Sequence, residues 1–488
     1  MSQVRRSLLF SAADKYASQA LAIITTAVMA RILTPAETGL YMTANAMILL
    51  ADNFRSFGVG IYLVQEKEID RGIIQSAFTV TLALSLAMGA AIYLGSGSLA
   101  AFYDAPQLKT LLVVAAFGFL AIPFASPIIA LLERDLAFNA VAGINVAAAA
   151  TMAIVTIVLG LAGWGPVSYI WGFVGSSFIM ALLALVARPH FWIFRFSFKN
   201  TRRLLSFGTI SSLISISNMA YELLPRLAFG KILGFGAVGL YSRALTVCQL
   251  PDRAVVSALQ PVILPAFAAQ VRAGDCLKKS YLHGLSLMTA VQWPALIMLS
   301  LLANPIVRIL LGPQWDAVPP LVRIMALASM ALAPGTLTFP VLVAAGRIQD
   351  ALWASLISLP PSFLIIIGAA FFGLDAVAAS LLLVTPVQMF VAYFFIRRAI
   401  DMNWADLLAA GRDSACLALA TASAPIIVVA TSPSGFDLGW LQTAMALAGG
   451  ASGWAAGLIL IGHPLKTEIS GIWLTVAART WRGKAASF

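Results

Sequence analysis

The chain has 488 residues, 60% of them hydrophobic and only 10% charged, with a formal net charge of +11. A water-soluble globule carries roughly a quarter charged residues, so this composition excludes a soluble architecture and makes the bilayer the solvent. The three cysteines, Cys248, Cys276 and Cys416, form no close-spaced pair. That excludes a disulfide framework or a thiolate metal site, and all three read as buried small apolar residues.

Apolar blocks of about 20 residues, enough to cross a hydrocarbon core of about 30 Å, recur along the chain. The first six fall near residues 11–33, 40–62, 74–95, 108–132, 141–163 and 167–187. Arg5 and Arg6 faintly resemble an export signal, but Asp14 and Lys15 interrupt the apolar run, so this block reads as an uncleaved first helix. A polar linker, 188–203, precedes six more blocks near 204–232, 238–267, 282–303, 321–345, 351–373 and 376–396, and two last ones near 416–430 and 438–461. The expected fold is therefore all-α and integral to the membrane, with about fourteen transmembrane helices. Its expected parts are an N-lobe (1–187), a cytoplasmic linker (188–203), a C-lobe (204–398), a C-terminal helix pair (399–462) and a cytoplasmic tail (463–488).

Within the spans, Pro294 and Pro360-Pro361 are candidate kinks, and Gly449, Gly450 and Gly453 allow close helix approach. Trp171, Trp293, Trp315, Trp353, Trp440 and Trp473 read as an interfacial aromatic belt, and His190, His283 and His463 as interfacial packing.

Lysine and arginine set the orientation, because cytoplasmic loops are enriched in them. With the N-terminus inside, about 21 basic residues fall on the cytoplasmic side, against about five outside: Arg31, Lys109, Lys231, Arg308 and Arg323. Both termini are therefore expected in the cytoplasm. The same distribution accounts for the net charge through anionic lipid headgroups, with no need for nucleic acid.

The sequence also repeats. Arg31-Ile32-Leu33 and Gly39-Leu40-Tyr41 recur 200 residues later as Lys231-Ile232-Leu233 and Gly239-Leu240-Tyr241, and Leu50 and Asp52 as Leu250 and Asp252. Six spans separate the copies, an even number, so the halves are expected to share orientation about an axis along the membrane normal. That pattern belongs to alternating-access transporters.

Several segments carry a family resemblance. The run Ala30 to Tyr41, with Thr34-Pro35-Ala36-Glu37 at its centre, resembles the first hairpin of the bacterial polysaccharide flippases, in the polysaccharide transporter family of the multidrug/oligosaccharidyl-lipid/polysaccharide exporter superfamily. Glu133-Arg134-Asp135-Leu136-Ala137-Phe138, Leu311-Gly312-Pro313-Gln314-Trp315 and Ala345-Gly346-Arg347 extend the likeness. The resemblance implies two six-helix lobes with an accessory pair, and a substrate carried on a polyprenyl diphosphate. Relatives often place an acid midway along span 7, where this chain has Pro225-Arg226 and its nearest acid is Glu222.

Ionisable residues inside spans are costly in lipid and mark pathways. Here the candidate substrate-diphosphate ligands are Lys15, Arg55, Arg226, Arg243 and Arg253, with Asp14, Asp52, Glu222 and Asp252 as counter-ions. Asp52 with Arg55 and Glu222 with Arg226 have helical ion-pair spacing, and structural pairing is the competing reading for each. No nucleotide-binding loop is present, so neither ATP nor another cofactor is expected, and the chain reads as a transporter rather than an enzyme.

The expected function is a flippase for an undecaprenyl-diphosphate-linked oligosaccharide, with membrane lipids and a polysaccharide polymerase or export machinery as possible partners. The alternatives are a multidrug exporter, disfavoured by five cations against four acids, and a membrane polymerase or ligase, disfavoured by short outer loops. Reporters fused after Arg203 and Lys279 are expected to read cytoplasmic, and those after Lys109 and Asp437 periplasmic. An outside reading for the central linker overturns the even-numbered halves.

Overall fold

The computed structural model describes residues 2–56, 58–66, 68–199, 201–252, 267, 270, 277–468 and 470. Every regular element among them is helical. The first half contains α1 (Ser2–Ile32), α2 (Pro35–Ser56), α3 (Val59–Gln65), α4 (Arg71–Phe102), α5 (Pro106–Arg134), α6 (Phe138–Leu161) and α7 (Val167–Ala187). The second contains α8 (Thr201–Ile232), α9 (Phe235–Cys248), α10 (Leu277–Leu301), α11 (Ala303–Leu310), α12 (Val318–Leu332), α13 (Thr338–Ala344), α14 (Ile348–Ala370) and α15 (Leu374–Ile400). Two more, α16 (Trp404–Thr431) and α17 (Trp440–Ile461), follow.

Nine helices among the described residues are long and apolar enough to cross a bilayer, or eleven if each of two bent pairs is one span. The expectation of fourteen rests on three further segments. Two are α1 and α8, 31 and 32 residues long and interrupted by charge. The third runs from α9 into residues 253–276, which lie almost wholly outside the described residues.

The helix breaks fall elsewhere than at the prolines singled out. α10 and α14 continue through Pro294 and Pro360-Pro361. The spans read as 40–62 and 321–345 are instead broken, α2 to α3 by 40° and α12 to the stretch leading into α13 by 55°. Gly58, at φ 67°, adopts the left-handed conformation that the first break requires.

The chain forms two compact units, Met1–Ser242 with Leu311–Gln314, and Arg243–Leu310 with Trp315–Phe488. In the first, α4 packs on α5, α5 and α6 on α7, α1 on α6, and α2 on α8. Lipid tails are as apolar as leucine, so close fit rather than burial drives such packing. The fit here is aromatic and aliphatic, with Tyr41 stacked on Tyr169 at 4.0 Å and Phe119 fully buried among Leu108, Leu111 and Leu112.

In the second unit α10 packs on α12 and α16, α14 and α12 on α15, and α16 on α17. Gly449, Gly453 and Gly457 repeat every fourth residue, so they line one face of α17. A Cβ on Gly449 would stand 2.6 Å from Ala424 Cβ, and one on Gly453 would overlap the Ala420 carbonyl. The glycines noted in the sequence therefore let two backbones touch.

Three expectations fail. Cys248 is buried but Cys416 is exposed on α16, and Cys276 lies outside the described residues. Trp315 is fully buried instead of interfacial. His463 is also fully buried, joining α10, α16 and the end of α17. Its Nδ1 accepts from the Leu465 backbone N–H at 3.1 Å, which puts the neutral ring's proton on Nε2. Nε2 lies 3.2 Å from both Ser286 Oγ and Ser414 Oγ, and Thr289 donates to Ser414 at 2.8 Å. No run of residues marks this cluster, because its members lie far apart in sequence.

Burial holds the His463 pKa below its usual value, opposed in part by Asp413 and reinforced by His283, which itself faces Glu468 at 3.6 Å. A depressed folded-state pKa means the cluster's stability is complete above the unfolded value of about 6.5 and is lost as pH falls below it. The thermal midpoint in detergent is therefore expected to drop with acid over that window. His463→Ala should flatten the dependence and cost about 1–3 kcal/mol at neutral pH.

Candidate functional site

The repeat marks two helix breaks at equivalent places in the first unit. α1 ends at Ile32 and α2 begins at Pro35, while α8 ends at Ile232 and α9 begins at Phe235. Thr34 and Glu37 cap the first break reciprocally, because Thr34 N and Oγ1 donate to Glu37 Oε2 at 2.9 and 2.8 Å and Glu37 N donates to Thr34 Oγ1 at 3.3 Å. With Pro35 at the first helical position, this is a capping box written in four residues.

Gly39 and Gly239 explain the repeated Gly-Leu-Tyr. A Cβ on Gly39 would overlap the Phe235 carbonyl, and one on Gly239 would overlap the Pro35 carbonyl. The first turns of α2 and α9 thus cross backbone to backbone, each glycine admitting the other helix's opening residue. Gly230 adds a third close approach, with Tyr103 Cε1 3.1 Å and Thr43 Oγ1 3.3 Å from where its Cβ would sit.

Side chains tie this crossing. Tyr103 donates to the Leu227 carbonyl at 3.0 Å, and Lys231 pairs with Asp104 at 2.9 Å. Gln314 Nε2 donates to the Leu33 carbonyl at 3.0 Å and also to the Ala30 carbonyl, closing the open end of α1. Sequence reasoning quoted Gln314 only as part of a motif and missed this role. It also missed Tyr103 and Asp104, which belong to no motif.

The ionisable candidates occupy different depths and differ in access. Arg55 lies at the far end of α2, 6% exposed, and its Nε donates to Asp52 Oδ1 at 2.8 Å. Arg226 lies six residues, about 9 Å, from the end of α8 and stands 4.0 Å from Glu222. Arg55 Nη1 and Arg226 Nε are buried and have no hydrogen-bond partner among the described residues. Asp14 accepts from Asn145 Nδ2 at 2.9 Å and from Ser18 Oγ at 3.2 Å, and Lys15 is exposed. All six belong to the first unit.

In the second unit Arg243 is 1% exposed, with its guanidinium 5.6 Å from the centre of the buried Trp315 ring. Half-buried Asp252 accepts from Gln292. Arg253 lies outside the described residues. The described groups include no cluster of three or more potential metal ligands.

Residues 28–320 match the family model described as polysaccharide biosynthesis protein. The chain belongs to that family. Among curated relatives, it is 25% identical over 385 residues to the lipopolysaccharide biosynthesis protein WzxC of Escherichia coli strain K12, covering 77% of each chain. It is 26% identical over 366 residues to the succinoglycan biosynthesis transport protein ExoT of Rhizobium meliloti strain 1021, covering 72% of each.

In fold, the family member resembles the lipid II flippase MurJ in its inward closed conformation, with TM-score 0.74 and 13% identity over 93% of this chain and 98% of that one. It also resembles an inward-facing multidrug resistance MATE transporter of the MOP superfamily, with TM-score 0.63 and 15% identity over 78% and 94% of the two chains. The expected polysaccharide family and the all-helical membrane fold are correct.

Because each glycine faces a backbone carbonyl that no side-chain rotation can move, Gly39→Ala and Gly239→Ala are each expected to force α2 and α9 apart. The overpacking cost is about 1–3 kcal/mol or more. Thr43→Cys, buried in the parent, should then become reactive to a membrane-impermeant maleimide in either alanine background. Equal labelling in parent and variants refutes the crossing as the closure of this end.

Proposed function

We propose that this family member is a flippase that moves an undecaprenyl-diphosphate-linked oligosaccharide repeat unit from the cytoplasmic to the periplasmic leaflet by alternating access, supplying exopolysaccharide, capsule or O-antigen synthesis. The observation that carries the reading is that two guanidinium groups, in α2 and α8, hold buried donors with no partner among the described residues. A buried donor left without a partner costs about 1–3 kcal/mol, and phosphate oxygens are strong acceptors for it.

Asp52 and Glu222 are the resting counter-ions in this scheme. They hold part of each guanidinium in the empty state and release it to the substrate, so binding does not start from a bare charge in low dielectric. Asp14 and Asp252 are the further counter-ions, and Lys15 belongs to the cytoplasmic entrance. Arg243 is held differently from Arg55, because it is enclosed against Trp315 and meets substrate only after that packing opens.

Names such as lipopolysaccharide biosynthesis protein and succinoglycan biosynthesis transport protein support the glycan cargo, and the likeness to a lipid II flippase supports the fold for it. The MATE likeness is one of fold alone. The excess of cations over acids among the intramembrane groups disfavours small cationic drugs as cargo.

The proposal includes the inner membrane as location, both termini in the cytoplasm, and lobes of residues 1–187 and 204–398 joined by 188–203. A polysaccharide polymerase working on the same intermediate is the fitting partner.

Deleting the gene is expected to accumulate one complete repeat unit on its lipid carrier at the cytoplasmic side, read by mass spectrometry of the lipid-linked oligosaccharides. Arg55→Ala and Arg226→Ala should insert at normal abundance yet cut polysaccharide export about tenfold or more, with lysine partly restoring it. Arg243→Ala should instead lower the amount of protein. If both of the first two variants export at parental levels, the guanidinium pair is structural.

A further inference from the structure

The segment between α7 and α8 is built for a surface that the transport reading does not use. After Ala187 the chain forms a short 3-10 turn, Phe191–Phe194, and continues extended toward α8. Its inner side is pinned to the first turns of α4. Gln75 Nε2 donates to the Trp192 carbonyl at 3.0 Å, and the Ser197 N–H donates to Thr79 Oγ1 at 3.0 Å. Ile193 is fully buried, Phe194 packs edge-on to Phe78 at 5.0 Å, and Arg71 lies 5.3 Å over the Trp192 ring.

The outer side is opposite in character. Phe191, Phe196 and Phe198 are 72%, 69% and 73% exposed, and Arg195 and Lys199 are exposed between and beside them. Arg188 is tied to Asp135 at 2.7 Å, whereas neither Arg195 nor Lys199 has a carboxylate partner among the described residues. Three exposed phenylalanines, of which Phe196 also meets the Phe78 ring at 6.2 Å, interleaved with two exposed cations suit neither bulk water nor hydrocarbon.

Depth distinguishes the occupant. α4 is 32 residues long, about 48 Å, and overshoots a hydrocarbon core of about 30 Å at its ends. The strap grips α4 at Gln75 and Thr79, about 6–12 Å from the start of that helix, which is where acyl chains give way to headgroups. Phenylalanine rings facing outward there enter the acyl boundary while the cations stay at phosphate level.

We propose that residues 188–199 form an interfacial strap that preferentially binds anionic phospholipid headgroups, with Arg195 and Lys199 on the phosphates and Phe191, Phe196 and Phe198 in the acyl boundary. A basic side chain near an anionic leaflet gains up to about fivefold in local association, so two give a preference that a zwitterionic lipid cannot match. The strap thereby fixes the depth of the loading-side ends of α4 and α7 through the lipid composition of that leaflet. This holds whatever cargo the protein carries.

The test uses the full chain with Cys248, Cys276 and Cys416 changed to alanine and a bimane label on Phe191→Cys, reconstituted into phosphatidylcholine vesicles. Phosphatidylglycerol or phosphatidylcholine with brominated acyl chains is then titrated in. Quenching is expected at several-fold lower mole fraction of the brominated phosphatidylglycerol. The preference should vanish in Arg195→Gln/Lys199→Gln and shrink at about 0.5 M salt, where the Debye length falls below about 5 Å.

A label on Leu460→Cys, at an exposed lipid-facing position of α17, should show no headgroup preference. If the cysteine-free chain does not fold, mass spectrometry of lipids co-purifying with the parent and with the Arg195→Gln/Lys199→Gln variant replaces it, with loss of phosphatidylglycerol from the variant as the expected result. Equal quenching by both lipids, or a preference that survives the double substitution, overturns the proposal. Absence of quenching by either lipid assigns the strap to an aqueous protein partner and overturns it equally.

Discussion

Backbone carbonyls at the ends of helices have no partner within the helix, and where the end is packed away from water a neighbour must supply one. In this protein that constraint is met by long side chains from neighbouring segments. Arg134, at the end of α5, donates to the Leu63 and Glu66 carbonyls and closes α3. Gln314 does the same for α1, and Arg347 donates to the Arg398 carbonyl near the end of α15 at 2.6 Å. Each of these donors sits in one of the short motifs that carried the family resemblance. The motifs therefore record where helices stop and which neighbour finishes them, a structural demand that any cargo leaves unchanged.

Two kinds of closeness follow from that arrangement. Where helices run past each other in lipid, small residues set the approach, as on the glycine face of α17. Where broken ends meet, backbone meets backbone, as at Gly39 and Gly239. The charged pairs lie along the helices, Asp52–Arg55 at the far end of α2 and Glu222–Arg226 one turn before Gly230 on α8.

The membrane class and the helical fold were legible because lipid imposes length and apolarity on each span separately, and the family because its motifs stand in the sequence as short runs. The two breaks at α2/α3 and α12/α13 were not, since a bent span has the same composition as a straight one. Helical spacing named the Asp52–Arg55 and Glu222–Arg226 pairs, but spacing along one helix says nothing of what encloses it. Hence the contact of Arg243 with the buried Trp315 ring has no signature in sequence. The His463 cluster joins residues from α10, α16 and beyond α17, and the partners of Asp14 and Asp252 are Asn145 and Gln292 on other helices. Such contacts are absent from any window of sequence.

The reciprocal fit at Gly39 and Gly239 also bears on substitution. Elsewhere along the chain the two hairpins meet different surroundings. At the crossing each is the other's surroundings. A larger residue in either would have needed a matching retreat in a carbonyl that has no side chain to give up, so neither position could change first. The glycine of the shared Gly-Leu-Tyr is thus a mutual constraint, one that each hairpin places on the other where their backbones touch.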